Sequence, residues 1–266
     1  MLGNKLKDYL VYLTKDNYFS TEIFTNATFI NEEWANFLHD HNIKVATSIY
    51  SYNQVDHEFV TKVVGSYQKT YAAIQLLKNK NVPYRVANVL MNNVSLGTCD
   101  TDLFKLSCKK DVVRMAGRAK FELLNPELIK LRLITKRSFQ KQIKVDFYKN
   151  ALHFHNCFKS KILISPKLDV YPCVMERRIC HGNLKNNTLE QIINESFQRL
   201  NKDAIHVCKD CEYRYHCFDC RPNSLDDTFE AKPWYCTYDP YRGEWANEDE
   251  FIDALYRQYK INYKSI

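Results

Sequence analysis

The sequence predicts an α/β chain, a parallel sheet of barrel or doubly wound type followed by a cysteine-rich domain with a small hairpin and helices. Three observations carry that prediction. Helical and strand patterns alternate over the first 95 of the 266 residues. Eight of the ten cysteines fall in the last 110 residues. The composition is that of an ordinary folded chain, poor in glycine and without repeats or low-complexity segments.

Lys5 to Lys15 carries Leu6, Tyr9, Leu10, Tyr12 and Leu13 at helical spacing. Phe19 to Phe24 is a short β-rich run that ends in Thr25-Asn26-Ala27. Asn31 caps a helix with Glu32 and Glu33 in its first turn and Trp34, Phe37 and Leu38 on its apolar face. Ile43 to Ile49, rich in β-branched residues, reads as a buried strand. His57 to Lys78 is helical with an interruption near Gly65, and Val82 to Met91 is the next strand. Asp111 to Ala116 and Glu127 to Leu133 read as helices. Beyond Cys157, Lys161 to Ser165 and Asp169 to Tyr171 make a hairpin around Pro166-Lys167. Leu189 to Leu200 is amphipathic, and a last helix is expected over Glu248 to Tyr259.

Strands separated by helices of this length imply right-handed βαβ units and a parallel sheet. Ligand sites in such sheets lie at the carboxyl ends of the strands. That edge offers Thr25, Asn26 and Ser48 as ligand-binding candidates, with Asn92 and Asn93 beside them. Each is equally an ordinary turn residue. The expected domains are an α/β domain over 1–150, the cysteine-rich domain over 151–240 and a helical tail over 241–266.

No signal peptide is visible at the start, and no apolar run approaches the ~18 residues a membrane helix needs. The expectation is a cytoplasmic protein. The net charge of +7 is mild, and the densest basic stretch holds Lys130, Arg132, Lys136, Arg137, Lys141 and Lys144. A solvated face accounts for it better than a nucleic-acid surface; a groove for an acidic peptide is the third reading.

Cys157, Cys173, Cys180, Cys208, Cys211, Cys217, Cys220 and Cys236 are the candidate metal ligands, and the middle of the set reads C-x2-C-x5-C-x2-C. Disulfides belong to oxidising compartments, whereas clustered cysteines in the cytosol stay reduced and bind metal. Eight thiolates make two four-thiolate sites, of iron–sulfur or zinc type. An all-cysteine set spread over long loops favours iron–sulfur; a zinc-stabilised, non-catalytic module binding peptide or nucleic acid is the alternative. His153, His155, His181, His206 and His216 lie nearby as supporting or surface residues. Cys99 and Cys108 stand apart as small apolar fillers.

In order and spacing these cysteines resemble the SPASM domain, the C-terminal module of many radical S-adenosylmethionine (SAM) enzymes that modify peptides. Val170-Tyr171-Pro172-Cys173 resembles its second ligand motif, and His181-Gly182-Asn183-Leu184 the turn before its helix. Ile23-Phe24-Thr25-Asn26-Ala27, Val45-Ala46-Thr47-Ser48-Ile49 and Gly65-Ser66-Tyr67 are similar to the middle of a radical SAM barrel. His155-Asn156-Cys157-Phe158 and Cys211-Glu212-Tyr213-Arg214-Tyr215 look closest to the peptide maturases of grasp-with-spasm systems.

The resemblance narrows the α/β part to a partial (β/α) barrel and implies two auxiliary [4Fe–4S] clusters. Cys208, Cys211, Cys217 and Cys236 would hold one; Cys157, Cys173 and Cys220 would hold the other, with Cys180 as a fourth ligand. It also implies maturation of a ribosomally made precursor peptide, with an ATP-grasp ligase encoded beside it. Several departures stand out. Leu168 replaces the glycine before the second ligand, Tyr50-Ser51 replaces the usual Asp-Gly, and Thr61 stands where arginine is frequent. No cysteine precedes Cys99, so the Cys-x3-Cys-x2-Cys loop of the catalytic cluster is missing. The expectation is a truncated or degenerate member that does not cleave S-adenosylmethionine alone and whose catalytic residues are unknown. A missing N-terminal segment or a partner chain would supply that loop, pairing with an exposed barrel edge.

Overall fold

The computed structural model describes residues 3–15, 20–98, 103, 108–115, 119–140, 142–158, 161–196, 201–222 and 228–259. The chain divides into two compact units, Met1–Val113 and Arg114–Ile266. That division falls before the boundary expected at 150 from the sequence.

The first unit runs α1 (Gly3–Thr14), β1 (Glu22–Phe24), α2 (Glu32–Asp40), β2 (Lys44–Ser48), α3 (Gln54–Thr61), α4 (Ser66–Asn79), β3 (Tyr84–Leu90) and β4 (Cys108–Val112). Its helices start where the sequence supplies caps. Asn31 Oδ1 accepts from Trp34 N at 3.0 Å, ahead of Glu32 and Glu33. Asn53 Oδ1 accepts from Val55 N at 2.8 Å in the same way. The helical run expected from His57 to Lys78 is two helices. Lys62 at φ 59° and Gly65 at φ 76° turn the chain between them, and glycine enters that region without steric cost.

The strands form one parallel sheet in the order β1-β2-β3-β4, with Ile23 opposite Val45, Val45 opposite Tyr84 and Val89 opposite Asp111. Alternation sends successive side chains to opposite faces. Ile23, Val45 and Tyr84 pack with Leu10, Leu38 and Leu77 from the helices. On the other face Arg85 grips Glu22 through two bonds of 2.8 Å, and Phe24 lies 5.0 Å from the same guanidinium. Among the described residues β1 and β4 are the two margins of this four-stranded sheet, so the architecture shown is α/β.

One expectation is overturned. The sequence reads as a helix from Asp111, yet Cys108–Val112 is a strand beside β3. Sheet membership wins because it buries Val112 and Val113 while the ladder satisfies the backbone; Ala116 lies outside the described residues.

The second unit has shorter elements: α5 (Pro126–Lys130), α6 (Val145–His153), an antiparallel sheet of β5 (Leu163–Ile164), β6 (Asp169–Tyr171) and β7 (Gly182–Asn183), then α7 (Leu189–Ser196), the pair β8 (Tyr238–Asp239) and β9 (Glu244–Trp245), and α8 (Glu248–Gln258). The expected hairpin is present, turning over Ser165–Leu168 with Leu168 N bonded to Ser165 O at 2.8 Å. Leu168 adopts φ 70°. That left-handed backbone favours glycine, yet leucine occupies it here. Ile134 bridges to Cys236, with Ile134 N on Tyr235 O at 2.8 Å and Thr237 N on Ile134 O at 3.1 Å. The basic stretch is partly neutralised by α8: Lys130 meets Asp249 at 2.8 Å and Arg137 pairs with Glu248. No helix among the described residues is long and apolar enough to cross a membrane.

Candidate functional site

Four of the cysteines come together in the second unit. Cys208 opens a tight turn that ends at Cys211, whose N–H bonds to Cys208 O at 3.1 Å. A second turn returns the chain, Cys217 N bonding to Tyr213 O at 2.8 Å. Cys236 arrives from far along the sequence, fixed by its bridge to Ile134. All four line one small cavity, together with Lys202, Tyr213, Pro233, Tyr238 and Trp245. Burial, opposed by Lys202 and reinforced by Asp219, pushes the Cys208 thiol up to about 11 and the Cys217 thiol up to about 12. Metal binding must therefore displace protons from these sulfurs.

Cys157, Cys173 and Cys220 form a second group. Cys157 and Cys173 are buried in one apolar cluster with Phe158, Ile205 and Phe229. The Cys157 thiol hydrogen-bonds to Cys220, and Arg114 Nη1 donates to Cys220 Sγ at 3.3 Å. The bond from Cys157 and the charges of Arg114 and Arg132 bring the Cys220 thiol down to about 6. Glu176 N donates to Cys173 Sγ at 3.2 Å. Backbone and guanidinium donors thus already point at sulfur. Cys180 is exposed, its Sγ 3.5 Å from Gly182 O.

A buried ion network that the sequence reading missed joins the two groups. Asp219, inside the loop between Cys217 and Cys220, accepts from Lys202 Nζ, from His155 Nε2 at 3.0 Å and from Arg221 Nε at 2.6 Å. His155 Nδ1 in turn accepts from Cys157 N at 3.1 Å, so its proton sits on Nε2. Lys202 Nζ also reaches Cys217 Sγ at 3.5 Å. Burial opposes ionised Asp219, but Lys202, Arg221 and His155 outweigh it and hold the carboxyl well below its ordinary range. Burial likewise opposes the Lys202 charge, which Asp219, Cys217 and Cys208 restore. The one signal available beforehand was an aspartate placed inside a cysteine loop.

In the first unit the strand-edge candidates do converge. Thr25, Asn26 and Ser48 border a cavity of about 440 Å³ with Tyr50, His57, Thr61, Ser66, Lys69 and Thr70. Part of their capacity is used locally. Thr25 Oγ1 accepts from Ala27 N at 3.1 Å, and Asn26 Oδ1 from Thr28 Oγ1 at 3.0 Å. Tyr50 N donates to His57 Nδ1 at 3.3 Å, and burial lowers the His57 pKa. Thr61 Oγ1 and Ser66 Oγ share a bond of 2.8 Å. Asn92 and Asn93 are not among the residues that line this cavity.

The donor set suits an iron–sulfur cage. Its four thiols share one cavity beside a buried cation. Among the described residues no three His, Cys, Asp or Glu side chains converge closely enough to hold a single metal ion. Four thiolates are the ligand number of a [4Fe–4S] cage and also of a structural zinc site.

Comparison with known proteins agrees. Residues 157–212 match the SPASM family, an iron–sulfur cluster-binding domain. Among solved structures, hexahistidine-tagged anSMEcpe with bound AdoMet is 18% identical, with a TM-score of 0.58 over 99% of this chain and 78% of that one. Native anSMEcpe with bound AdoMet and Cp18Cys peptide is 17% identical, with a TM-score of 0.57 over 96% of this chain and 80% of that one. The corresponding complex with Kp18Cys peptide gives 16%, 0.57, 99% and 82%. Among curated proteins no match is found. The iron–sulfur SPASM segment is thus shown by its family match, and the α/β fold by the solved structures.

Proposed function

We propose that this chain is an iron–sulfur component of a peptide-maturing system of the radical SAM/SPASM type. The observation that carries the reading is the gathering of Cys208, Cys211, Cys217 and Cys236 around one cavity. These four hold one [4Fe–4S] cluster. Cys157, Cys173 and Cys220 hold a second, to which sequence order adds Cys180. Bound there, such clusters supply one-electron chemistry and cross-link a unit with little regular structure. The residues around them exclude water and donate to sulfur, as Arg114 and Glu176 N do.

The first unit is read as part of a (β/α) barrel whose remaining strands pair at the β1 margin. Its cavity at Thr25, Asn26 and Ser48 is the place for the nucleoside end of S-adenosylmethionine. Without a Cys-x3-Cys-x2-Cys loop in this sequence, radical formation needs another segment or chain. The solved complexes that combine AdoMet with a peptide support a precursor peptide as partner. An ATP-grasp ligase beside it and a reducing, cytoplasmic setting complete the proposal.

Iron, sulfide and zinc quantification on protein purified without oxygen tests the reading. Two clusters predict about eight irons and as many sulfides per chain. Zinc without sulfide would instead select the zinc-stabilised module.

A further inference from the structure

The centre of the second unit carries more positive than negative charge. Lys202 is 3% exposed and Arg221 1%, with Asp219 between them, also 1% exposed. His155 beside them adds no charge, because its Nδ1 is occupied as an acceptor from Cys157 N. A further buried carboxylate, Glu176, is matched by Arg178 through bonds of 2.8 and 2.6 Å. One carboxylate against two cations leaves one positive charge, and an uncompensated buried ion is costly. Arg221 directs its Nη1 to the carbonyls of Phe229 and Ala231, at 3.0 and 2.8 Å. Lys202 instead turns to sulfur, its Nζ 3.5 Å from Cys217 Sγ.

We propose that Lys202 sets the reduction potential of the cluster held by Cys208, Cys211, Cys217 and Cys236, a role that rests on the iron–sulfur reading above. Reduction adds an electron to a cage already made negative by its thiolates. A fixed cation beside one sulfur stabilises the reduced form more than the oxidised form. Net charge and hydrogen bonds to sulfur are among the main determinants of cluster potential. Burial keeps water from screening the effect. Lys202 is held in place, since Asp219 anchors it and is itself held by His155 and Arg221. The anchor lies in the same loop as Cys217 and Cys220, so ligand and counter-charge move together. Arg114 faces the other group at Cys220, which gives the two clusters different cations.

The test uses the full chain loaded with iron and sulfide without oxygen and titrated with dithionite, the reduced clusters being followed by EPR. Lys202→Gln is expected to make one reduction wave harder to reach by about tenfold in equilibrium constant, ~59 mV for one electron. The other wave should stay in place, with iron per chain unchanged. Lys202→Arg, which keeps the charge, should return the wave to its wild-type position. Full iron with unshifted waves in Lys202→Gln overturns the proposal. If that variant sheds iron, Lys202→Arg decides. A cluster retained at the wild-type potential upholds the charge role, and one shifted or lost overturns it. A wild-type chain that takes up no iron and sulfide removes the cluster reading itself, which is visible before any variant is compared.

Discussion

In the first unit a strand runs to seven residues, and the fully buried side chains include Leu38, Ile43, Ile74 and Leu77. In the second no strand among the described residues exceeds three, and the bulkiest fully buried side chain is Arg221. One unit is held by an aliphatic core and a parallel ladder. The other buries Leu124, Ile129, Ile205 and Ile252, and sets thiols, a carboxylate and two cations in its interior beside such apolar side chains. On the cluster reading proposed above, its stability should follow the bound group as well as its apolar packing.

The contrast can be broken most directly by removing metal. Chelation of iron from loaded protein is expected to cost the second unit on the order of 5–10 kcal/mol while the first keeps its sheet. Limited proteolysis would then cut beyond Val113 only. Cleavage in both units together would show that they do not differ in this way. Asp219→Asn should cost about 3–5 kcal/mol, because it strips the counter-charge from buried Lys202 and Arg221. Denaturant unfolding measures it, and a loss under 1 kcal/mol would mean that the network is incidental. Leu77→Ala should cost about 2–5 kcal/mol with iron content unchanged. Altered iron content in that variant would tie the aliphatic core to the metal.

Smaller effects sharpen the picture. Leu168→Gly should raise the stability of the second unit by about 1 kcal/mol, since a bulky residue at φ 70° is strained and glycine is not. A lower melting temperature would refute that account. The smallest effect concerns Glu22. The hydrogen bonds from Arg85 hold its carboxyl below the ordinary value. Its contribution is present above the unfolded pKa of about 4.3 and is lost as pH falls through the lower folded value. With both side chains partly exposed, solvent screening keeps the term below about 1 kcal/mol. Glu22→Gln should flatten the acid limb of first-unit stability; an unchanged limb would place the acid sensitivity elsewhere.

Much of this was legible in the chain itself. Asn31 reads as a cap from the sequence and is one, whereas the caps Asn53 and Asn247 emerged only with the structure. The hairpin at Pro166-Lys167 and the strands around Val45 and Val86 follow local pattern. Cys108–Val112 was not legible, because Lys109, Lys110 and Asp111 mask a strand whose reason is its neighbour β3. Val145–His153 was missed because Val145, Phe147 and Tyr148 are weak helix formers.

Spacing along the chain determined which sulfurs are available and that they are numerous enough for two cages, because short-range ligand loops are local objects. Only the folded chain decided which of them meet. It also placed Asp219 between Lys202, 17 residues before it, and His155, 64 residues before it. Charge pairing across such separations leaves no periodic trace, since its energy depends on distance and burial, and both are products of packing.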